Sequence, residues 1–243
     1  MENNWVKSQD GKAVLFTVRN QSGGCPWCTV QDITFTNNIV RQTAGVFNTI
    51  AADYNHPSQQ LQSVLIENNL FYSIGGAQWG DTGGYGIFAS VNGGQWPGGP
   101  HYTILNMTFN HNTAFPTKDV LEMDIAPAAT NLVFTNNLVA SGSYGIFGSG
   151  YGTGTPAINQ YLVSPTFNAN VMAGAGAVGT YPTGVQLLSS ISSIGFVNYS
   201  GNDFHLSTSS PYKNAGTDGK DMGADVDGIA SKTSCVLKGV SCQ

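Results

Sequence analysis

Charged residues are scarce in this chain: Asp, Glu, Lys and Arg make up 9% of its 243 residues, against roughly 25% in an average globular domain. The nine Lys and Arg, set in a net charge of -5, are too few to build the basic face that nucleic-acid phosphates require, so no nucleic-acid partner is expected. A polybasic membrane anchor is missing for the same reason. No apolar run reaches the roughly 18 residues of a membrane-spanning helix, so no membrane partner is expected. The opening residues MENNWVKSQDG lack the apolar core of a secretion signal. Long stretches of helical periodicity are also missing, which excludes alternating βαβ units and points to an all-β chain.

Cysteine is sparse and local. Cys25-Pro-Trp-Cys28 and the pair Cys235 and Cys242 lie about 200 residues apart, and one pair departs from Cys-x-x-Cys, so a shared zinc site is disfavoured. A thioredoxin-type role needs a helix after Cys25 and Cys28, and none is predicted. Two local disulfides in a secreted protein are the simpler expectation.

Aromatic residues, at 11%, and 31 glycines are present, so the chain is not disordered. Its ordered feature is a repeat. Ile33-x-Phe35-x-Asn37-Asn38, Val64-x-Ile66-x-Asn68-Asn69, Met107-x-Phe109-x-His111-Asn112, Leu132-x-Phe134-x-Asn136-Asn137 and the weaker Thr166-Phe167-x-Ala169-Asn170 share one template. Alternation makes each a half-buried strand. The last Asn recurs after 31, 43, 25 and 33 residues, a period that suits a solenoid whose units bury their faces on one another. Stacked about 4.8 Å apart, the asparagines at this corner are expected to form a ladder, with Asn also tolerating the left-handed turn. His111 occupies a ladder position and is expected to be structural.

With Arg19-Asn20-Gln21, Pro26-Trp27, the run Val30-x-Asp32-x-Thr34-Phe35-x-x-Asn38-Ile39-Val40 and the closing SPYKNAGTDGKDMGAD, the sequence resembles the right-handed parallel β-helix repeat proteins of the pectate-lyase-like superfamily. The resemblance covers nearly the whole chain and implies an all-β, single-stranded right-handed parallel β-helix with an irregular C-terminal cap. Residues 1–174 are assigned to the coils and 175–243 to the capping segment of the same domain. Glu2-Asn3-Asn4-Trp5 looks like the tail of a further unit, so Met1 is expected to mark a boundary inside a longer protein. The resemblance also implies an extracellular or cell-surface, carbohydrate-active protein that works as a monomer on a polysaccharide or oligosaccharide. No cofactor is expected, except calcium if the protein is a lyase, since lyases of this superfamily use an Arg or Lys base and acidic calcium ligands. Its hydrolase signature of Asn-Thr-Asp followed by Asp-Asp and Gly-His-Gly does not occur in this chain. The acidic run TDGKDMGADVDG lacks the spacing of a calcium loop and is expected to form the closing turn.

A second strand follows each Asn corner. Placing alternate apolar positions inward leaves an outward column Leu15, Phe47, Phe88, Glu122, Phe147 beside a column Thr17, Thr49, Ser90, Asp124, Ser149. Phe47, Phe88 and Phe147 are expected either to stack sugar rings or to pack beneath loops. Glu122 and Asp124, two residues apart on one face, stand about 7 Å apart. Glycoside hydrolysis uses a carboxyl pair separated by roughly 5 to 9.5 Å, and like charge would raise one of the two pKa values as an acid requires. Lys118 and Asp119 lie at the start of the same strand and are expected to tune the site. Asp53, His56, Trp96 and His101 fall in two long loops expected to overhang Asp124, with Asp53 a third catalytic candidate. Trp79 lies in a Gly-rich loop at another corner. Each Trp suits ring stacking or a lid over the core. The expected activity is polysaccharide hydrolysis by Glu122 and Asp124, with a polysaccharide lyase and a non-catalytic polysaccharide-binding solenoid as alternatives.

Overall fold

The computed structural model describes residues 11–80, 85–176 and 178–237. Glu2-Asn3-Asn4-Trp5 and Cys242 fall outside the described residues. The fold is mostly β, with three parallel sheets and few helices.

The first sheet pairs Lys12–Thr17, Gly45–Ile50, Ala89–Asn92, Asp119–Asp124 and Gly145–Gly148 in that order, all parallel, with Gly152–Thr153 added antiparallel. The second stacks Gln31–Thr36, Gln62–Glu67 and Ile104–Asn110, then Ala129–Thr130 with Val133–Thr135, then Leu162–Val163 with Thr166–Asn168. The third runs Ile39–Thr43, Leu70–Ile74, Thr113–Ala114, Leu138–Ala140, Asn170–Ala173 and Val185–Leu188. From Lys12 to Ala173 the chain visits first, second and third sheets in rotation, and each visit pairs with the one before it. Two helices interrupt the strands, α1 (Thr155–Tyr161) and α2 (Val226–Leu237).

Two residues suffice to turn from the second sheet to the third, and they divide the work. The first adopts the left-handed conformation: Asn37, Asn68, His111, Asn136 and Ala169, with φ between 48° and 58°. Asn and His tolerate this region, whereas Ala169 is strained there. The second residue forms the ladder. Asn38 Nδ2 donates to Asn69 Oδ1 at 3.0 Å, Asn69 to Asn112 at 3.1 Å, Asn112 to Asn137 at 3.1 Å and Asn137 to Asn170 at 3.0 Å. Each receiving oxygen also accepts the backbone N–H of the donating Asn. Asn69, Asn112, Asn137 and Asn170 are buried, so these bonds satisfy amides that would otherwise be costly to enclose. Asn-Asn therefore recurs because one residue supplies the turn and the other the rung.

A second left-handed column lies five residues upstream of the first. Asp32, Ser63, Asn106, Asn131 and Ser164 all have positive φ, between 51° and 56°. These short polar residues tolerate the bend better than branched ones.

Inward faces of all three sheets meet in one apolar cluster. Phe47 is its hub, with the rings of Phe16, Phe35, Phe71, Phe88 and Phe109 centred 5.5 to 6.4 Å away. The third sheet is buried on both sides. Phe71, Val139 and Met172 point into this cluster, while their strand neighbours Leu70, Leu138, Ala140, Val171 and Ala173 pack against Ile194, Phe204, Tyr212, Met222 and Ile229. The C-terminal segment thus covers the outer face of the third sheet, which explains the near-continuous apolar strands there. Thr217 N donates to Asn136 Oδ1 at 2.8 Å, Asp225 N to Asn68 Oδ1 at 2.7 Å and Lys232 Nζ to Asn37 Oδ1 at 2.9 Å, fastening the segment to the Asn corner.

Candidate functional site

The outer face of the first sheet carries the expected carboxylates. Leu121 and Met123 are buried while Glu122 is half-buried and Asp124 exposed, so the two acids share a face about 7 Å apart. The column through Glu122, however, runs Leu15, Asn48, Ser90, Glu122, Phe147. Phe47 and Phe88, expected outward, are fully buried, and so is Thr49. The reason is energetic. Burying a Phe side chain is worth about 2 kcal/mol, Phe47 packs edge-on and stacked against the surrounding Phe rings inside, and the Thr49 hydroxyl loses nothing because it donates to Ser90 O at 2.7 Å. Phe88 enters the core from the bend just before its strand. Neither ring is available to a sugar. Phe147 stays half-buried, its ring 5.7 Å from that of Tyr144.

Glu122 is held on both sides. Lys118 Nζ donates to Oε1 at 3.2 Å, and Ser90 Oγ donates to Oε2 at 3.3 Å, Ser90 itself being bonded by Lys12 Nζ. Asp124 Oδ1 accepts the N–H of Ile125 at 2.8 Å. Ile125 has φ 57°, an uncommon conformation for a branched residue, so the strand turns sharply away just beyond the acid.

Asp119 is the group the sequence underrated. A register irregularity between Asp119 and Leu121 lets the intervening Val120 point inward and returns Asp119 to the Glu122 side. There it is 0% exposed, and among the described residues neither carboxylate oxygen has a hydrogen-bond partner. Lys118 Nζ lies 3.6 Å from Oδ2, an ionic neighbour beyond hydrogen-bonding distance. Burial pushes the Asp119 carboxyl up to about 6, opposed by Lys118 and reinforced by the charge of Glu122. Lys118 in turn is raised above its ordinary value by Glu122 and Asp119, despite an opposing burial effect. Asp119 pairs with Gly145 across the sheet, and a glycine partner offers no donor side chain. The sequence signal was a Lys-Asp step placed just before an apolar strand.

Asp53 anchors its loop. It is buried and accepts N–H bonds from Asn20 at 2.8 Å, Asn55 at 2.7 Å and His56 at 2.9 Å. Those bonds, with the charge of Arg19, hold its carboxyl below the usual range against the larger opposing effect of burial. Such a group shapes the loop rather than reaching a substrate. The half-buried His56 ring packs against Gly23, where an added Cβ would lie 3.3 Å from Nδ1. His101 Nε2 lies 2.7 Å from Pro127 O, fixing its loop to the short turn after Asp124. Trp96 leans on Tyr102 with ring centres 5.4 Å apart. Trp79 closes the short 3-10 turn Ala77–Trp79, half-buried.

Cys25 and Cys28 form a disulfide, and Cys235 is also disulfide-bonded. A cavity of about 610 Å³ lies between the Asn corner and the C-terminal segment, lined by His111, His205, Lys213, Lys220 and Asp221 among others. His111 Nδ1 lies 3.2 Å from Gly223 O and Nε2 3.3 Å from Asp218 Oδ1, so the histidine ties the closing turn to the corner. Among the described residues no group of three or more His, Cys, Asp or Glu is placed to hold a metal ion, and no helix is long and apolar enough to cross a membrane. No family model matches this chain, and neither a curated protein nor a solved structure does.

Proposed function

We propose that this chain is an extracellular, carbohydrate-active protein that hydrolyses a polysaccharide with Glu122 and Asp124, on the outer face of a right-handed parallel β-helix. Three parallel sheets visited in rotation and a continuous Asn ladder support the helical reading. The hand follows from the strong preference of parallel crossovers for right-handed turns. A monomer is the proposed working state.

The observation that carries the enzymatic reading is the pair of outward carboxylates. A separation of about 7 Å leaves room for one water between acid and base, the arrangement of inverting glycoside hydrolysis. In this reading Glu122, bonded to the Lys118 ammonium, draws the proton from water, and Asp124, bonded only to its neighbouring N–H among described contacts, protonates the leaving oxygen. Asp119 and Lys118 set the field around the base. The lyase alternative has less support. The arginines lie elsewhere, with Arg19 stacked over Tyr54 and Arg41 over Tyr72.

Release of reducing sugar from a panel of plant and microbial polysaccharides tests the proposal. Glu122→Gln and Asp124→Asn are each expected to lower turnover by about 10²-fold or more, with the fold retained by circular dichroism. Undiminished turnover in either variant removes that residue. A second reading, a non-catalytic binding solenoid, draws on the structural bonds that both acids already make. Retention on insoluble glycan without any sugar release would favour it.

A further inference from the structure

The five connections from the first sheet to the second stack on one edge of the molecule, because the strands they join are stacked in order. Neighbouring connections touch. Gln59 N and Nε2 in the second donate to Cys28 O and Pro26 O in the first at 2.8 and 3.0 Å, and Gln60 Nε2 reaches Thr103 O in the third at 3.0 Å. Four of the five carry an aromatic residue: Trp27, Tyr54, Trp96 and Tyr151. The exception is the short fourth turn, Ile125 to Ala128, at whose mouth the exposed Asp124 stands.

Trp27 is the most telling of these. It is 70% exposed, and Tyr151 is 51% exposed. Leaving an indole in water forfeits its burial, yet the loop that does so is locked. The Cys25–Cys28 disulfide brackets Trp27, Cys25 N donates to Asn20 Oδ1 at 2.8 Å, and Cys28 N to Cys25 O at 3.0 Å. A rigid, exposed ring loses little freedom on binding. Charge is nearly missing along the edge. Arg19 and Asp53 are its only charged residues in all five connections. Asp53 is buried, and the Arg19 guanidinium lies 5.6 Å from the Tyr54 ring centre.

We infer that this edge is a binding rail for an uncharged, linear polysaccharide, laid along the stacking axis across Trp27, Tyr54, Trp96 and Tyr151 and passing Asp124 at the gap. Strands about 4.8 Å apart set the spacing of the platforms, so the rail spans several sugar units. The inference rests on the polysaccharide reading above and narrows its substrate: an acidic glycan would meet a single cation on this edge, Arg19, and the exposed carboxylate of Asp124 at the gap.

Affinity electrophoresis through gels containing hydroxyethyl cellulose, galactomannan or polygalacturonate tests the rail without requiring turnover. The chain is expected to be retarded by at least one neutral polymer and not by polygalacturonate. Trp27→Ala should weaken that retardation about fivefold or more, and Trp27→Phe should retain most of it. Trp27 is exposed, so both variants keep the native circular dichroism. Lack of retardation in both neutral gels, equal retardation of Trp27→Ala, or stronger retardation by polygalacturonate overturns the inference. The two proposals fail separately. Trp27-dependent retardation without reducing-sugar release removes the hydrolase and leaves the rail, whereas release with kcat and KM unmoved in Trp27→Ala removes the rail and leaves the hydrolase.

Discussion

Asp119 sits where water would stabilise it least, enclosed beside Lys118 with no donor on either oxygen among the described residues. Its carboxyl is raised from an ordinary 3.8 to about 6, so between those values the folded chain keeps a proton that the unfolded chain has released. Stability therefore falls as pH rises through that window, by up to about 3 kcal/mol at 1.36 kcal/mol per unit. Asp119→Asn is expected to be more stable than the parent at pH 8 by about 1 to 3 kcal/mol, with the gain disappearing below about pH 4. Thermal unfolding at the two pH values measures this, and a variant less stable at pH 8 would mean that the ionised carboxylate is well accommodated. The outward placement of Glu122 and Asp124 is legible in the sequence because the buried Leu121 and Met123 alternate with them. The burial of Asp119 is not, since it depends on an irregularity at Val120 and on Gly145 one strand away. The bonds of Asp53 are illegible for a related reason: a loop acid can serve three backbone N–H groups, and nothing in its spacing says so.

Helix α2 is fastened by a histidine. His205, on Asp203–Leu206, contacts Asp203 through Nδ1 and lies 3.1 Å from Asp227 Oδ1, in the first turn of α2, through Nε2. Its pKa is raised, chiefly by the Asp203 bond with burial opposing, then by Asp227. A raised histidine contributes most below its ordinary value and loses the contribution as pH climbs through the folded value. Because the ring is well exposed, the contribution is less than about 1 kcal/mol. His205→Gln should accordingly raise amide exchange in α2 at pH 5.5 and leave it nearly unchanged at pH 9; equal effects at both would show that the contacts are not ionic. Among the strands, legibility varied with the length of the connection before each. Second-sheet strands lie at a fixed offset from their Asn corner and were readable. First-sheet strands follow connections that are as short as Ala44 before Gly45 and far longer before Ala89, so no fixed offset pins their register, and alternation of apolar positions alone sets Phe47 and Phe88 on the wrong face. The column Asp32, Ser63, Asn106, Asn131, Ser164 was legible as small polar residues at a constant offset, a signal the strand pattern obscured.

Across the whole molecule, stacking cooperates through the ladder. Asn112 sits mid-stack, donating to Asn137 Oδ1 and to Ile66 O and accepting from Asn69. Asn112→Ala strips partners from buried amides on both sides and is expected to cost about 3 kcal/mol, at 1 to 3 kcal/mol for each unsatisfied group. Asn38→Ala, at the less buried first rung, should cost less than half as much. Denaturant midpoints for the two variants test this, and equal costs would show that the rungs act independently. The repeat, the ladder and the rotation of strands were all legible in the sequence, because identical residues at one corner have one stable arrangement. The face on which residues 188–229 dock was not, since its contacts join segments as far as 81 and 157 residues apart with no shared period. Every rung bond in the ladder runs the same way, from the carboxamide nitrogen of one coil to the carboxamide oxygen of the next. The stack is thus an arrow: a coil duplicated within it presents matching faces to both neighbours, while one inserted upside down would set oxygen against oxygen. Lengthening such a protein by gene duplication is therefore chemically simple, and inverting part of it is not.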